Sequence, residues 1–125
     1  MRQPGPDHPI AITPHAGRIR VRAGGVTVAE TDAALVLTEA TYPPVFYIPR
    51  ADARWEYFVA SSRRSHCPYK GEAHYFSLSI DGTERPDAVW SYEAPYPAVA
   101  AIRDHLAFYP DRVDAIEAVP DHPST

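Results

Sequence analysis

Apolar and polar residues alternate with a period of two through Arg18-Ile19-Arg20-Val21-Arg22 and again through Val26-Thr27-Val28-Ala29-Glu30, on either side of Gly24-Gly25. Successive side chains of a strand point to opposite faces, so each run reads as a half-buried strand and the glycine pair as a hairpin turn. Ala34-Leu35-Val36-Leu37-Thr38-Glu39 and Val45-Phe46-Tyr47-Ile48 are short β-rich runs. Between them lies Tyr42-Pro43-Pro44, whose prolines have no N–H to give to a ladder, and the two runs predict two further strands. Ala73 to Ile80, the turn Asp81-Gly82-Thr83 and Ala88 to Tyr92 predict a second hairpin. Only one stretch has helical spacing: Pro97 suits a first turn, and Val99, Ile102 and Leu106 fall on one face of a helix of about two to three turns. Ala107-Phe108-Tyr109 and Val113-Asp114-Ala115-Ile116-Glu117 read as closing strands, and Ser61-Ser62-Arg63-Arg64 reads as irregular. About eight short strands and one helix predict a mainly β fold, a single compact sandwich or barrel-like domain. Proline clusters near both ends, so residues 1–17 and 119–125 are expected to be irregular tails around a domain of 18–118.

Composition narrows this picture. At 125 residues, 45% hydrophobic and 22% charged, the chain has room for one core and is too apolar to be disordered throughout. No stretch approaches the ~18 apolar residues of a membrane helix, and Met1-Arg2-Gln3-Pro4-Gly5 has no signal-peptide centre, so a cytoplasmic protein without a membrane partner is expected. A single cysteine allows neither an internal disulfide nor a multi-thiolate zinc site. The chain carries a net charge of −4, yet the window from Arg50 to Lys70 holds five cations against Asp52 and Glu56. A local positive patch on an acidic protein suits a small anion better than nucleic acid, which needs a broader basic surface; the bland reading is a solvated arginine-rich loop. No solenoid repeat, dinucleotide fingerprint or P-loop is present, and no motif implies a cofactor.

The densest run of reactive groups is Ser65-His66-Cys67-Pro68-Tyr69-Lys70-Gly71-Glu72-Ala73-His74-Tyr75, with the only cysteine and the only lysine of the chain. A cation near a thiol stabilises the thiolate, which makes Cys67 a candidate nucleophile with Lys70 or His66 as activator. The plain alternative is a small buried thiol, with Lys70 paired to a carboxylate. If a strand begins at Gly71, Glu72 and His74 share a face with Lys70, whereas Ala73 and Tyr75 face the other way. Glu72 would then be an acid or base beside a cation. Two imidazoles and one thiolate without a recognised spacing argue against a metal site here. The fourteen aromatic residues include eight tyrosines, whose hydroxyls need polar partners when buried, and such side chains line small-molecule pockets as readily as they cover a core. Trp90 and Tyr92 share a strand face and are expected in core or pocket together.

Tyr42-Pro43-Pro44-Val45-Phe46-Tyr47-Ile48-Pro49-Arg50-Ala51-Asp52, His66-Cys67-Pro68-Tyr69-Lys70-Gly71-Glu72-Ala73-His74-Tyr75, Trp90-Ser91-Tyr92 and Ala107-Phe108-Tyr109 resemble, in order and spacing, the bacterial domain of unknown function family number 427. The resemblance runs from about Arg18 to Glu117 and implies a small, mostly β, homodimeric protein. Labels on that family call it nucleotidyltransferase-like, whereas this chain has no Gly-Ser followed by an Asp-x-Asp pair. Carried over position by position, Cys67, Tyr69, Lys70, Gly71, Glu72 and Tyr75 match the strongest motif, with Tyr47, Arg50, Trp90 and Tyr92 as companions. The leading expectation is a site for a small polar or anionic molecule, gripped by Lys70 and Arg50 and lined by Tyr47, Tyr69, Tyr75, Trp90, Tyr92 and His74. Cys67, Glu72 and Lys70 could there perform group transfer or hydrolysis. The alternatives are a ligand-binding module with an inert Cys67, and a structural protein acting through its dimer surface.

Overall fold

The computed structural model describes residues 1–119. Ten strands form, with short 3-10 turns only between β5 and β6, β8 and β9, and β9 and β10: β1 Ile10–Pro14, β2 Arg18–Ala23, β3 Val26–Thr31, β4 Leu35–Glu39, β5 Val45–Pro49, β6 Phe58–Cys67, β7 Gly71–Ile80, β8 Thr83–Tyr92, β9 His105–Phe108 and β10 Ala115–Val119. Two antiparallel sheets form, one in the order β1-β4-β5-β9-β8-β7-β6 and the other β10-β2-β3. The mainly β sandwich expected from the alternation is therefore the fold, and among the described residues no barrel closes. No described helix is long and apolar enough to cross a membrane.

The central strands of the large sheet pack on both faces, and the period of two sorts their residues between two cores. Ile48, Val89, Leu106 and Phe108 pack against Ile19, Val21 and Val28 of the small sheet. Their strand neighbours Tyr47, Trp90 and Ala107 face the other way, into a second core with Leu37, Ala73, Tyr75 and Tyr92. That second core has no sheet opposite it. It is closed by Val99 and Ile102 and by the curl of the large sheet itself. In a flat sheet β4 and β7, four strand spacings apart, would be separated by about 19 Å at ~4.8 Å per strand. Lys70, at the entrance to β7, instead makes an ion pair with Glu39 at the end of β4, so the sheet is bent into a half-barrel.

The structure departs from the sequence expectations in several places. Ile10–Pro14 lies in the stretch expected to be irregular, yet it pairs with β4 from Ile10↔Glu39 to Pro14↔Leu35. The flanking prolines mask an Ile-Ala-Ile alternation that supplies Ile10 and Ile12 to the second core. Ser61 to Arg64 is not irregular but the middle of β6, where a break in register between Ala60 and Arg64 accommodates polar residues at a sheet edge. The expected helix is a 3-10 turn over Pro97–Ile102, kinked at Val99 (φ −125°, ψ 28°), and Leu106 belongs to β9. Val99 and Ile102 are three apart, a spacing that a 3-10 turn eclipses onto one side, and the chain must then reverse at Arg103-Asp104 to enter β9. The closing strands run His105–Phe108 and Ala115–Val119, the second taking in Val119 from the expected tail. The rest of that tail, residues 120–125, lies outside the described residues.

Candidate functional site

The concave face of the half-barrel holds a cavity of about 280 Å³. Its walls are built by alternation: Tyr47 from β5, Tyr75 from β7, and Trp90 and Tyr92 from β8 all point inward. Lys70 enters from the β6–β7 turn, Glu39 from the end of β4, and Tyr109 from the residue after β9. Gly71 (φ +110°) lets that turn close against the following loop, where the Tyr96 amide donates to the Lys70 carbonyl at 3.0 Å. A Cβ at residue 71 would sit 3.5 Å from the Ala94 carbonyl oxygen.

The pocket is donor-rich with a charged pole. Trp90 Nε1 donates to the Tyr47 hydroxyl at 3.2 Å, which leaves the Tyr47 proton free to point elsewhere. Tyr75 Oη lies 2.7 Å from Ser65 Oγ and 3.4 Å from Tyr109 Oη. Glu39 is shared between Lys70 and His8, whose Nε2 is 2.7 Å away. Burial pushes the Glu39 carboxyl up, but the hydrogen bonds from Lys70 and His8 outweigh it and hold the carboxyl below its usual range. Glu39 therefore stays ionised beside the ammonium, and Lys70 is a neutralised cation with hydrogens to spare. Burial pushes the phenols of Tyr47 and Tyr92 well above the usual tyrosine range. These hydroxyls remain neutral donors and acceptors.

Of the residues singled out by sequence, Lys70, Tyr47, Tyr75, Trp90 and Tyr92 meet in this cavity. The others are elsewhere. Glu72 and His74 do share a face of β7, opposite Ala73 and Tyr75, but Lys70 is not on it, because the turn carries its side chain inward to Glu39. Arg50 also lies on that outer face: its Nη2 donates to Ser91 Oγ and to Glu93 Oε2, both at 2.9 Å, and Ser91 alternates with the inward Trp90 and Tyr92. Hydrogen bonding from Arg50, more than burial opposes it, holds the Glu93 carboxyl low. Lys70 and Arg50 thus stand on opposite faces of one sheet and do not grip one group. Tyr69 stacks on His8 with ring centroids 3.9 Å apart, outside the cavity lining.

Cys67 is half-buried against the second core. His66, its neighbour on β6, points to the opposite face, where its Nε2 is 3.5 Å from the Tyr96 hydroxyl. Among the described residues no three His, Cys, Asp or Glu side chains gather closely enough to hold a metal ion.

Glu39, Tyr109, Ser65 and His8 were not singled out by sequence. Glu39 ends an ordinary strand pattern, and nothing in the chain near it says that a lysine thirty-one residues later will reach it. Tyr109 follows a run that reads as core, and His8 sits among prolines.

The motif residues that line the cavity fall inside the match to one family model, described as a domain of unknown function (DUF427), over residues 11–119. The chain belongs to this family. No curated protein matches the chain. Measured against the family match, Lys70, Tyr47, Tyr75, Trp90, Tyr92 and Glu39 are part of the shared domain, whereas His8 is supplied by the segment that precedes it.

Proposed function

We propose that this DUF427 domain binds a small polar or anionic molecule in the half-barrel pocket. The observation that carries the reading is convergence: side chains from β5, β7, β8 and the β6–β7 turn, scattered through 46 positions of sequence from Tyr47 to Tyr92, line one cavity. Aromatic walls with a few placed polar groups are the usual construction of a small-molecule site. The aromatic bodies cover a ring or other flat skeleton, and the remaining hydrogens of Lys70 meet a carboxylate or carbonyl oxygen.

Simple binding is favoured over group transfer or hydrolysis. A nucleophilic thiol needs a base or cation in contact, and among the described residues His66 faces away from Cys67 while the side-chain hydrogen bond of the Lys70 ammonium goes to Glu39 and none goes to the thiol. Glu72 projects from the outer face, with its side chain 62% exposed, too far round the sheet to act on a ligand inside.

A thermal-shift screen of small carboxylates, phosphates and neutral aromatics checks the reading. Binders should lose about tenfold or more in affinity with Trp90→Ala, which opens the aromatic wall, and be indifferent to Cys67→Ser and Arg50→Gln. A binder equally tight to Trp90→Ala and sensitive to Arg50→Gln would place the site on the outer face and end the pocket assignment.

A further inference from the structure

Five tyrosines line the cavity, and their hydroxyls differ in what they already hold. Tyr75 and Tyr109 lie 3.4 Å apart, and Tyr75 is also 2.7 Å from Ser65 Oγ, so these two spend their bonding on one another and on the serine. Tyr42 is exposed. Tyr47 accepts from Trp90 Nε1 at 3.2 Å, and among the described residues nothing accepts its own proton. Tyr92 stands apart. It is only 5% exposed, yet among the described residues its hydroxyl has no hydrogen-bond partner at all. A buried tyrosine hydroxyl ordinarily finds one. Nor is this hydroxyl sealed away, because among the described residues the one sealed and unpartnered side-chain nitrogen or oxygen is Arg50 Nε, on the outer face. The Tyr92 hydroxyl therefore opens on the cavity its ring lines, and whatever fills that cavity is its partner.

The other polar groups of the cavity are unevenly matched. Lys70 has three ammonium hydrogens, and among the described residues its one side-chain hydrogen bond goes to Glu39. Glu39 already holds Lys70 on one oxygen and His8 on the other. Burial, reinforced by the nearby Glu39 charge, keeps the Tyr47 and Tyr92 hydroxyls protonated. Three residues of one cavity thus have donors without an acceptor, whereas its one carboxylate is bonded at both oxygens.

We propose that Tyr92, Tyr47 and Lys70 form a donor cradle for a single carboxylate group, and that the pocket selects small monocarboxylates with a flat apolar body over neutral or doubly charged molecules of the same size. This rests on the pocket being a ligand site, and it names the class the site takes. A carboxylate brings two acceptor oxygens and no donor, which is what three unmatched donors require. Hydrogen bonds to an ionised acceptor are about twice as strong as those to a neutral one, and that favours the carboxylate over an alcohol or amide. The cavity lining has one cation, Lys70, and one anion, Glu39, so its fixed charges cancel. A single negative charge is met by the three donors, whereas the second charge of a phosphate monoester meets no free cation and lies near Glu39. Leu37, Val45 and Trp90 supply the apolar wall for the body of the ligand.

The test compares benzoate, benzyl alcohol and phenyl phosphate by calorimetry or ligand-observed NMR on the full chain. Benzoate should bind about tenfold more tightly than either of the others. Tyr92→Phe, which keeps the ring and removes only the hydroxyl, should weaken benzoate by about tenfold and leave benzyl alcohol nearly unchanged. Because that hydroxyl has no protein partner to lose, the thermal midpoint of unliganded Tyr92→Phe should not fall. Tyr47→Phe should weaken benzoate as well, but with a lower unliganded midpoint, since Trp90 loses its acceptor. A fall in the unliganded midpoint of Tyr92→Phe would show a structural hydroxyl and overturn the inference. So would benzoate affinity that is no better than that of the other two compounds, or that survives Tyr92→Phe; the free donors then hold water alone. In those cases binding that Trp90→Ala still weakens leaves the pocket reading standing. Failure of all three compounds to bind overturns the two together.

Discussion

Lys70 shows how one residue can carry two readings until its partner is known. As the only lysine in a positive window it is a natural anion anchor; in the folded chain it is nine-tenths buried and paired with Glu39. Removing one partner of a buried pair leaves the other charge uncompensated, so Lys70→Met should destabilise the protein by about 3 kcal/mol. Adding Glu39→Gln to that variant should recover much of the loss, which a double-mutant cycle in denaturant measures. Equal destabilisation by the single and double variants would show that the lysine contributes through its stem alone. The pair also sets an acid limit. The folded-state value of Glu39 is depressed below the unfolded 4.5, so its contribution is fully present above that value and is lost as pH falls through the lower, folded one. Unfolding free energy measured down through pH 4.5 should therefore fall more steeply for the native chain than for Glu39→Gln. The residue types of the pocket were legible in the sequence, because Lys70, Tyr75, Trp90 and Tyr92 stand in distinctive local runs. The ion pair was not, because its carboxylate lies in a strand with no unusual neighbours.

At the scale of elements, the strands that alternate most plainly are those found where expected. β2 and β3 form the hairpin anticipated from Gly24-Gly25, with a shift in register between Val21 and Arg22. The turn makes a sharp prediction. A Cβ on Gly24 (φ +59°) would lie 2.9 Å from Ile80 Cγ2 in the first core, whereas one on Gly25 (φ +82°) meets nothing within 4 Å. Gly25→Ala should cost about 1 kcal/mol from backbone strain alone, and Gly24→Ala about 2 kcal/mol or more because Ile80 must also give way. Urea midpoints at constant slope check the order. Where the strands differ from the pattern along the chain, local signals compete. Proline near β1 concealed a strand whose pairing comes from β4, and the run of serines and arginines in β6 is polar because it forms a sheet edge, not because the chain is irregular. The spacing of Val99, Ile102 and Leu106 mimicked one helical face, although only the first two share a core and Leu106 packs on the other side of the sheet.

In the whole molecule, one seven-stranded sheet separates two apolar clusters that share no residue among their buried members. Val28 of the small sheet is fully buried in the first, and Val99 is fully buried in the second, the cluster that also holds the pocket's Tyr47, Tyr75 and Tyr92. Val28→Ala and Val99→Ala should each destabilise by about 1–3 kcal/mol, and the double variant by their sum to within ~0.5 kcal/mol. A single cooperative transition is expected throughout, since both clusters are built on the same strands. Val99→Ala should also loosen the cluster that holds the pocket's tyrosines in place and weaken any bound ligand, an effect that Val28→Ala should lack. Comparing the two variants by thermal shift, with and without ligand, separates a general loss of stability from damage to the site.

The order of residues along the chain is enough for the fold class and the faces. Alternation with period two says which side chains of each strand travel together, so Trp90 with Tyr92 and Glu72 with His74 could be grouped without coordinates. It also placed the turns wherever glycine, proline or Asp-Gly interrupts the pattern. Which face becomes the inside of the pocket, and what meets there, is set by the folding of the chain as a whole. That depends on the curl of the large sheet, which brings β4 across to the β6–β7 turn and sets Glu39 against Lys70 while leaving Arg50 on the outer side. Sheet curvature is the sum of small twists, breaks in register and packing on both faces, accumulated over seven strands. No local window of the chain contains that sum, and so none contains the site.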